Sequence, residues 1–316
     1  CHTVTQACIS ANQAITSGVE QILADQAEVV IAGGTDCISD APIVFNKPMR
    51  KKLMAAQKLK SPGEYLKFAT TLGLKDFVPE APAVAEFTTG RTMGMDCELL
   101  AARYGVTREE QDAFAMASVQ RAQNAITSGA FEAEIAPVTV KTRAGEVVVS
   151  VDEGPGKIKL DKIPTLRAAF KKDGTITAAS SSSINDGAAA LVMMRESTAK
   201  QLGSTPIAKI MGHTTHAQEP NKFATAPVGA TQKLLAKLGW SVADVDLWEV
   251  NEAFAVVPMA LMKELGVEHS KLNVNGGACA LGHPIGATGA LITVKAIHEL
   301  HRINGRYALV TMCIGG

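Results

Sequence analysis

The sequence predicts a layered α/β fold built from two related halves with an inserted loop domain. Three observations carry that reading. Buried strands alternate with helices along much of the chain, which implies packed layers of each. One pattern occurs twice: "TQACISANQAITSGVEQIL" leading to "AEVVIAGG", and "GGACALGHPIGATGALITVKAIHEL" leading to "YALVTMCIGG". Each is a turn, a helix rich in small residues and a buried strand ending in Gly-Gly. Between them, residues 38–184 differ in texture, with short helices, prolines and charge.

In chain order, Ile15, Val19, Ile22 and Leu23 recur at helical spacing after Cys8. Ser10 and Gln13 fit a capping box that starts this helix just past the cysteine. "AEVVIAGGTD" reads as a buried strand. Within the insertion, "TREEQDAFAMASVQRAQNAITSG" is a helix with a capping box at Thr107 and Glu110, and "GEVVVSVDE" is a strand. "TITAASSSSINDGAAALVMM" passes from a Ser-rich turn into another buried strand. There follow "PIAKIMGHT" (strand), "APVGATQKLLAKLGW" (helix), "VDLWEV" (strand) and "NEAFAVVPMALMKELG" (helix). The halves are thus 1–37 with 185–205, and 206–316, around the loop domain 38–184. If they are duplicates, the region 206–273 should have a counterpart before Cys8, so roughly 60–70 residues are expected ahead of Cys1. The second half is likewise expected to continue into a last strand beyond Gly316. On this expectation the chain is truncated at both ends.

Composition narrows the function. Lys+Arg and Asp+Glu both number 31, and aromatics are 4% of 316 residues. Neither a basic footprint nor stacking residues point to nucleic acid. No apolar run reaches the length of a membrane span. The six cysteines (Cys1, Cys8, Cys37, Cys97, Cys279, Cys313) are scattered, without C-x-x-C or zinc spacing. This usage suits a reducing compartment better than a disulfide framework.

Four places offer chemistry. Cys8 stands at a helix mouth, where partial positive charge and free N–H groups favour a thiolate; a buried small hydrophobe is the competing reading. His283 precedes the second helix, at the place matching Cys8 in the first half, so the repeat brings the two helix mouths face to face. Cys and His form a workable nucleophile–base pair, whereas a lone His in a Gly-rich turn is more often structural. Asn251 ends a strand, where α/β proteins place ligands, or else caps the following helix. Cys313 stands two residues before Gly315, whose N–H is placed to serve an oxyanion. The Gly-Gly strands lack the G-x-G-x-x-G of a dinucleotide fold.

Taken together, "QACISANQA", "NEAFA", "NVNGGACALGHPIGATGA" and "CIGG" resemble the thiolase family, the acetyl-CoA C-acyltransferases, over essentially the whole chain. "TREEQDAFA", "GTITAASSSSINDGAAA" and "PAVAEFTTGRTMG" are weaker matches. The resemblance implies a duplicated thiolase-like five-layer αβαβα fold with the loop domain over the site. It implies acyl transfer between 3-ketoacyl-CoA and CoA, or the reverse Claisen condensation. Cys8 matches the acyl-carrying nucleophile, His283 its activator and a ligand of the thioester oxygen, Cys313 the acid/base at the α-carbon and Asn251 the holder of an oxyanion-hole water. The N–H groups of Cys8 and Gly315 match a second oxyanion hole, and Ser182 and Ala178 lie where the family contacts pantetheine.

No cofactor is implied, coenzyme A being a substrate. Implied partners are acyl-CoA, CoA and further copies of the chain in a homodimer or homotetramer, or a partner subunit of a β-oxidation complex. The compartment would be the cytoplasm in a bacterium and the mitochondrion or peroxisome in a eukaryote. The insertion "SDAPIVFNKPMRKKLMAAQKLKSPGEYLK" resembles fatty-acid-oxidation members, while "NEAF" resembles general or acetoacetyl-specific ones. A ketoacyl synthase would need a second His in place of Asn251, and a non-catalytic acyl-CoA- or lipid-binding relative would not need the full residue set. The basic segment 46–67 reads as a solvated surface, a CoA-phosphate contact or a docking surface for a partner or membrane.

Overall fold

A computed structural model describes residues 1–80 and 85–315. Pro82–Val84 of "PAVAEFTTGRTMG" therefore lie outside the described residues. The helices are α1 (Ser10–Leu23), α2 (Lys47–Ala56), α3 (Pro62–Ala69), α4 (Met93–Tyr104), α5 (Arg108–Thr127), α6 (Gly154–Lys157), α7 (Glu196–Gln201), α8 (Ala226–Leu238), α9 (Val256–Leu265), α10 (Ala278–Leu281) and α11 (Thr288–Arg302). The strands are β1 (Val29–Asp36), β2 (Val138–Thr142), β3 (Gly145–Val149), β4 (Gly187–Met194), β5 (Leu247–Val250) and β6 (Ala308–Thr311). Two compact units result: Cys1–Ile38 with Ala85–Gly316, and Ser39–Val84.

In the larger unit, β1 pairs antiparallel with β4, from Val29 opposite Met194 to Asp36 opposite Gly187. β5 pairs parallel with β6, with Trp248 opposite Leu309. α11 packs against both sheets and against α1, which covers β1. Ile22, Ala32 and Met193 fill the space between α1 and the first sheet. Beyond the second sheet, Val228 and Leu235 of α8 and Leu261 of α9 close on Trp248, Val250 and Leu309. Sheet, central helix pair, sheet and outer helices thus stack in that order.

Where the structure departs from the sequence reading, partners decide. β1 and β4 are not buried on both faces: Ile31 is 75% and Val192 64% exposed, because α1 covers one side only. "PIAKIMGHT" forms no ladder among the described residues, since an extended segment becomes a strand only when another pairs with it. β2, unanticipated, is the hairpin partner of β3. The helix over 108–127 starts as expected, with the Thr107 side chain on Glu110 N–H and the Glu110 carboxylate on Thr107 N–H. At α1 the expected box does not form. Ser10 instead donates to Ala7 O at 2.7 Å and accepts from Gln6 N–H at 2.8 Å, locking the turn that carries Cys8.

In the smaller unit, α3 has the Ser61–Glu64 capping box. Two bases of segment 46–67 are paired with acids outside it: Arg50 with Glu80 and Lys52 with Asp76, each at 2.6 Å.

Two close approaches hold the core of the larger unit together. A Cβ on Gly34 would fall on the carbonyl of Gly286, and one on Gly286 would stand 2.6 Å from Thr35 O. A Cβ on Gly289, in the first turn of α11, would meet Asn12 in the first turn of α1, its backbone N at 2.6 Å. Gly34→Ala should therefore cost roughly 1–3 kcal/mol through forced backbone displacement, read as a lowered urea midpoint. An unchanged midpoint would mean that the strand end and the 286 loop part without penalty.

Candidate active site

The residue before the nucleophile candidate is bent into the left-handed region, Ala7 having φ of 43°. A non-glycine residue there is held by its surroundings. Here the Ser10 bonds and the Ile9 N–H to Gln6 O bond at 3.1 Å hold it. The turn delivers Cys8 to the mouth of α1, 8% exposed, against Ile292 and Met312. Burial raises its thiol pKa, and the N–H groups of Gly315 and of Cys8 itself, both within hydrogen-bonding reach, offset this only in part, so the resting thiol is less acidic than the helix mouth alone would make it. Gly315 is seated against the Met93 side chain.

Cys313 lies just past β6 and is 1% exposed. Burial pushes its thiol well above the ordinary range, and the charge of a Cys8 thiolate nearby pushes it further. Both effects favour keeping the proton on Cys313. Cys97 of α4 packs into the same cluster, and its thiol is raised by burial and then by Cys313.

Asn251 does not cap α9, whose cap position is Ala255. It extends the register of β5, its N–H donating to Thr311 O at 3.1 Å. Its side chain is buried with Nδ2 3.4 Å from His283 Nε2, and its Oδ1 accepts no hydrogen bond from the protein. The strand end is clamped by Asn273, which takes Val250 N–H and returns a bond to Val250 O, both at 2.8 Å. Glu252 ties this corner to α5 and α10 by accepting from Ser118 Oγ at 2.7 Å, Asn273 Nδ2 at 2.8 Å and Cys279 N–H at 3.0 Å.

His283 lies between α10 and α11 and is 4% exposed. Its tautomer follows from the bonds around it. Thr288 Oγ1 spends its one proton on Pro284 O at 2.8 Å. It is therefore the acceptor at 2.6 Å from Nδ1, so Nδ1 carries the ring proton and Nε2 is bare. Burial lowers the ring pKa to about 4, and the Asp36 carboxylate only partly opposes this. Asp36 also accepts the Gly286 N–H at 2.9 Å. The site thus presents a neutral base at neutral pH.

Ser182 donates its N–H to Ala253 O at 3.0 Å, and Ser183 O accepts His283 N–H at 2.8 Å. The Ser-rich turn is thereby pinned beside the Asn251 corner, with Ala178 on its exposed part. Two groups of predicted residues assemble: Cys8 with Cys313 and Gly315, and Asn251 with His283. They adjoin through Ile285, two residues past His283 and packed in the cluster of Cys8. A concavity of about 550 Å³ along residues 1–5, α1 and β1 is lined by none of Cys8, Asn251, His283 and Cys313. Thr288, Asn273 and Glu252 were not anticipated. The signal for Thr288 was a hydroxyl in the first turn after His283; Asn273 and Glu252 gave none, because their partners are distant in sequence.

Two outcomes follow. Thr288→Val should strand the Nδ1 proton and slow acylation of Cys8 roughly 10-fold, the scale of one lost hydrogen bond, with Thr288→Ser restoring the rate; an unchanged rate would count against the tautomer assignment. His283 binds a proton more weakly folded (about 4) than unfolded (6.5). The unfolded state therefore takes up more protons between those values, and stability falls as pH drops through that window. The full contribution is about 3 kcal/mol. His283→Gln should flatten this limb relative to the parent in denaturant titrations from pH 7 to pH 4; parallel limbs would refute the shift.

Comparison with known proteins gives the family. Residues 1–197 match the family model described as Thiolase, N-terminal domain, and residues 204–316 match Thiolase, C-terminal domain. The chain is 41% identical over 316 residues to an acetyl-CoA acetyltransferase of Chromobacterium violaceum, covering 99% of this chain and 76% of that protein. The Bacillus anthracis acetyl-CoA acetyltransferase structure superposes with a TM-score of 0.86 at 38% identity, covering 100% of this chain and 76% of its own. Human mitochondrial 3-ketoacyl-CoA thiolase in complex with CoA does so at 0.84 and 35% identity, covering 98% and 74%. The chain belongs to the thiolase family.

Proposed function

We propose that this thiolase passes acyl groups between 3-ketoacyl-CoA and CoA through an acyl-enzyme on Cys8, with His283, Cys313 and Asn251 as its acid, base and oxyanion groups. The observation that carries the assignment is the pairing of two buried thiols, one of them at a helix mouth. Cys8 has two N–H groups and a helix mouth to hold negative charge, while Cys313 is pushed toward keeping its proton.

In the cleavage direction, the bare Nε2 of His283 receives the Cys8 proton, and the thiolate attacks the 3-keto carbon. The alkoxide meets the N–H groups of Cys8 and Gly315. When the bond between C2 and C3 breaks, the electron pair moves to the thioester oxygen. Protonated His283 Nε2 and Asn251 Nδ2 both present donors there, the latter directly or through a water. Cys313 delivers its proton to the α-carbon. A thiol raised by burial lies closer in acidity to a carbon acid, which eases this transfer. CoA, deprotonated by Cys313, then attacks the Cys8 thioester and leaves as the shortened acyl-CoA. The pinned turn bearing Ser182 and Ala178 is suited to guide the pantetheine arm.

CoA as substrate is supported by the CoA-bound relative. Acetoacetyl-CoA is the narrower alternative substrate, supported by "NEAF" and by the names of the relatives. Assembly into dimers or tetramers and a role in β-oxidation are parts of the same reading. Thiolysis of acetoacetyl-CoA measured beside a long-chain 3-ketoacyl-CoA separates the two substrate ranges.

Cys8→Ala should abolish thiolysis, by roughly three orders of magnitude or more, and near-native turnover would refute the nucleophile. Cys313→Ala should leave Cys8 able to be acylated by acyl-CoA while blocking proton exchange at the acetyl methyl group. Equal loss of both half-reactions would refute that division.

A further inference from the structure

Behind the Asn251 amide lies a second polar feature that this mechanism does not use. Asn251 Oδ1 and Glu249 Oε1 are both sealed from solvent, and neither has a hydrogen-bond partner in the protein. Positions 249 and 251 project to one side of an extended strand, and both residues line one cavity of about 10 Å³. That is about the smallest space that holds one water. Thr288 and Lys295 of α11 complete its polar wall, but both are engaged elsewhere. Thr288 Oγ1 serves Pro284 and His283. Lys295 Nζ donates to Gly276 O at 2.5 Å and stands 3.8 Å from Glu249 Oε2.

The chemistry of the wall selects the occupant. Two unpaired oxygens on residues that line one space call for a molecule with hydrogens for both. The Lys295 ammonium disfavours a metal cation, the Glu249 carboxylate disfavours an anion, and an apolar group would leave both oxygens unpaired. We propose that a buried water bridges Glu249 Oε1 and Asn251 Oδ1, and that Glu249 is thereby a positioning residue for the Asn251 amide. The bridge holds Oδ1 toward the cavity and Nδ2 toward His283 and the substrate oxygen. A flipped amide would aim an oxygen at the developing oxyanion. The bridge survives either state of the carboxyl, since water can give one hydrogen to each oxygen or accept from a protonated Glu249 and donate to Asn251. This inference rests on the reading of Asn251 as an oxyanion donor.

The test uses the whole protein. A high-resolution crystal structure should show water density within hydrogen-bond distance of both oxygens; density bonded to one or neither overturns the bridge. Glu249→Leu combined with Lys295→Met removes both members of the buried pair together, leaving neither charge without its partner. It should slow carbon–carbon cleavage roughly 10- to 100-fold, the scale of a misplaced reacting group. Exchange of labelled CoA into a saturated acyl-CoA, which needs Cys8 acylation alone, should change less than about twofold. Glu249→Gln, which keeps polar atoms for the water, should restore most of the cleavage rate. In an Asn251→Ala background the 249/295 changes should slow cleavage no further, as expected for residues acting as one unit. Equal slowing of both half-reactions, or an additive effect in that background, overturns the positioning role. If Asn251→Ala alone leaves cleavage intact, the oxyanion assignment fails and the positioning role with it, while the water density still decides the bridge.

Discussion

The site depends on a contact between two stretches of backbone. The end of β1 and the loop before α11 approach so closely that a side chain on Gly34 would occupy the Gly286 carbonyl. Around that contact α1 and α11 meet at their first turns, Asn12 filling the space where Gly289 lacks a side chain. Because helices begin with unpaired N–H groups and partial positive charge, the meeting assembles two electropositive mouths. Cys8 stands at one and the His283 loop at the other. Asp36, at the end of β1, fastens the junction through Gly286 N–H and supplies the charge that partly offsets the desolvation of His283.

Burial then sets the proton positions. Desolvation acts on every titratable group by disfavouring its charged form, so it raises both thiols and lowers the imidazole. Burial thus favours neutral groups at rest, and on the proposed mechanism charge appears when a proton moves from Cys8 to His283. The same low dielectric strengthens the N–H groups that meet that charge. A more solvated site would ionise more readily but would stabilise the alkoxide and enolate less.

Much of this was legible in the sequence, and the reasons are local. The start of α5 follows from capping chemistry and the position of Cys8 before α1 from helical spacing, although the box expected at α1 does not form, and Asn251 and Cys313 were placed at strand ends by short apolar runs. What depended on distant partners was not legible. The exposed faces of β1 and β4 reflect which layer covers them. The absence of a strand over residues 206–214 reflects the lack of a pairing neighbour among the described residues. Thr288 could be located but not given its role, because fixing the His283 tautomer requires knowing that its own proton goes to Pro284 O. Glu249 read as one more residue of a buried strand, and only the orphaned oxygen two residues further on gives it meaning.

The segment between the two halves completes this chemistry from within. α4 belongs to the insertion by sequence, yet Met93 packs on Gly315, whose N–H faces the Cys8 sulfur, and Cys97 shares the cluster that buries Cys313. Phe254 and Val257, around the start of α9, close the same cluster from the second half. The raised pKa of Cys313 is therefore a property of packing between insertion and core. Without α4 the thiol would be solvated, its pKa would fall toward the ordinary value, and its match to a carbon acid would be lost. On the proposed mechanism the insertion is thus part of the acid–base apparatus, through the water it excludes.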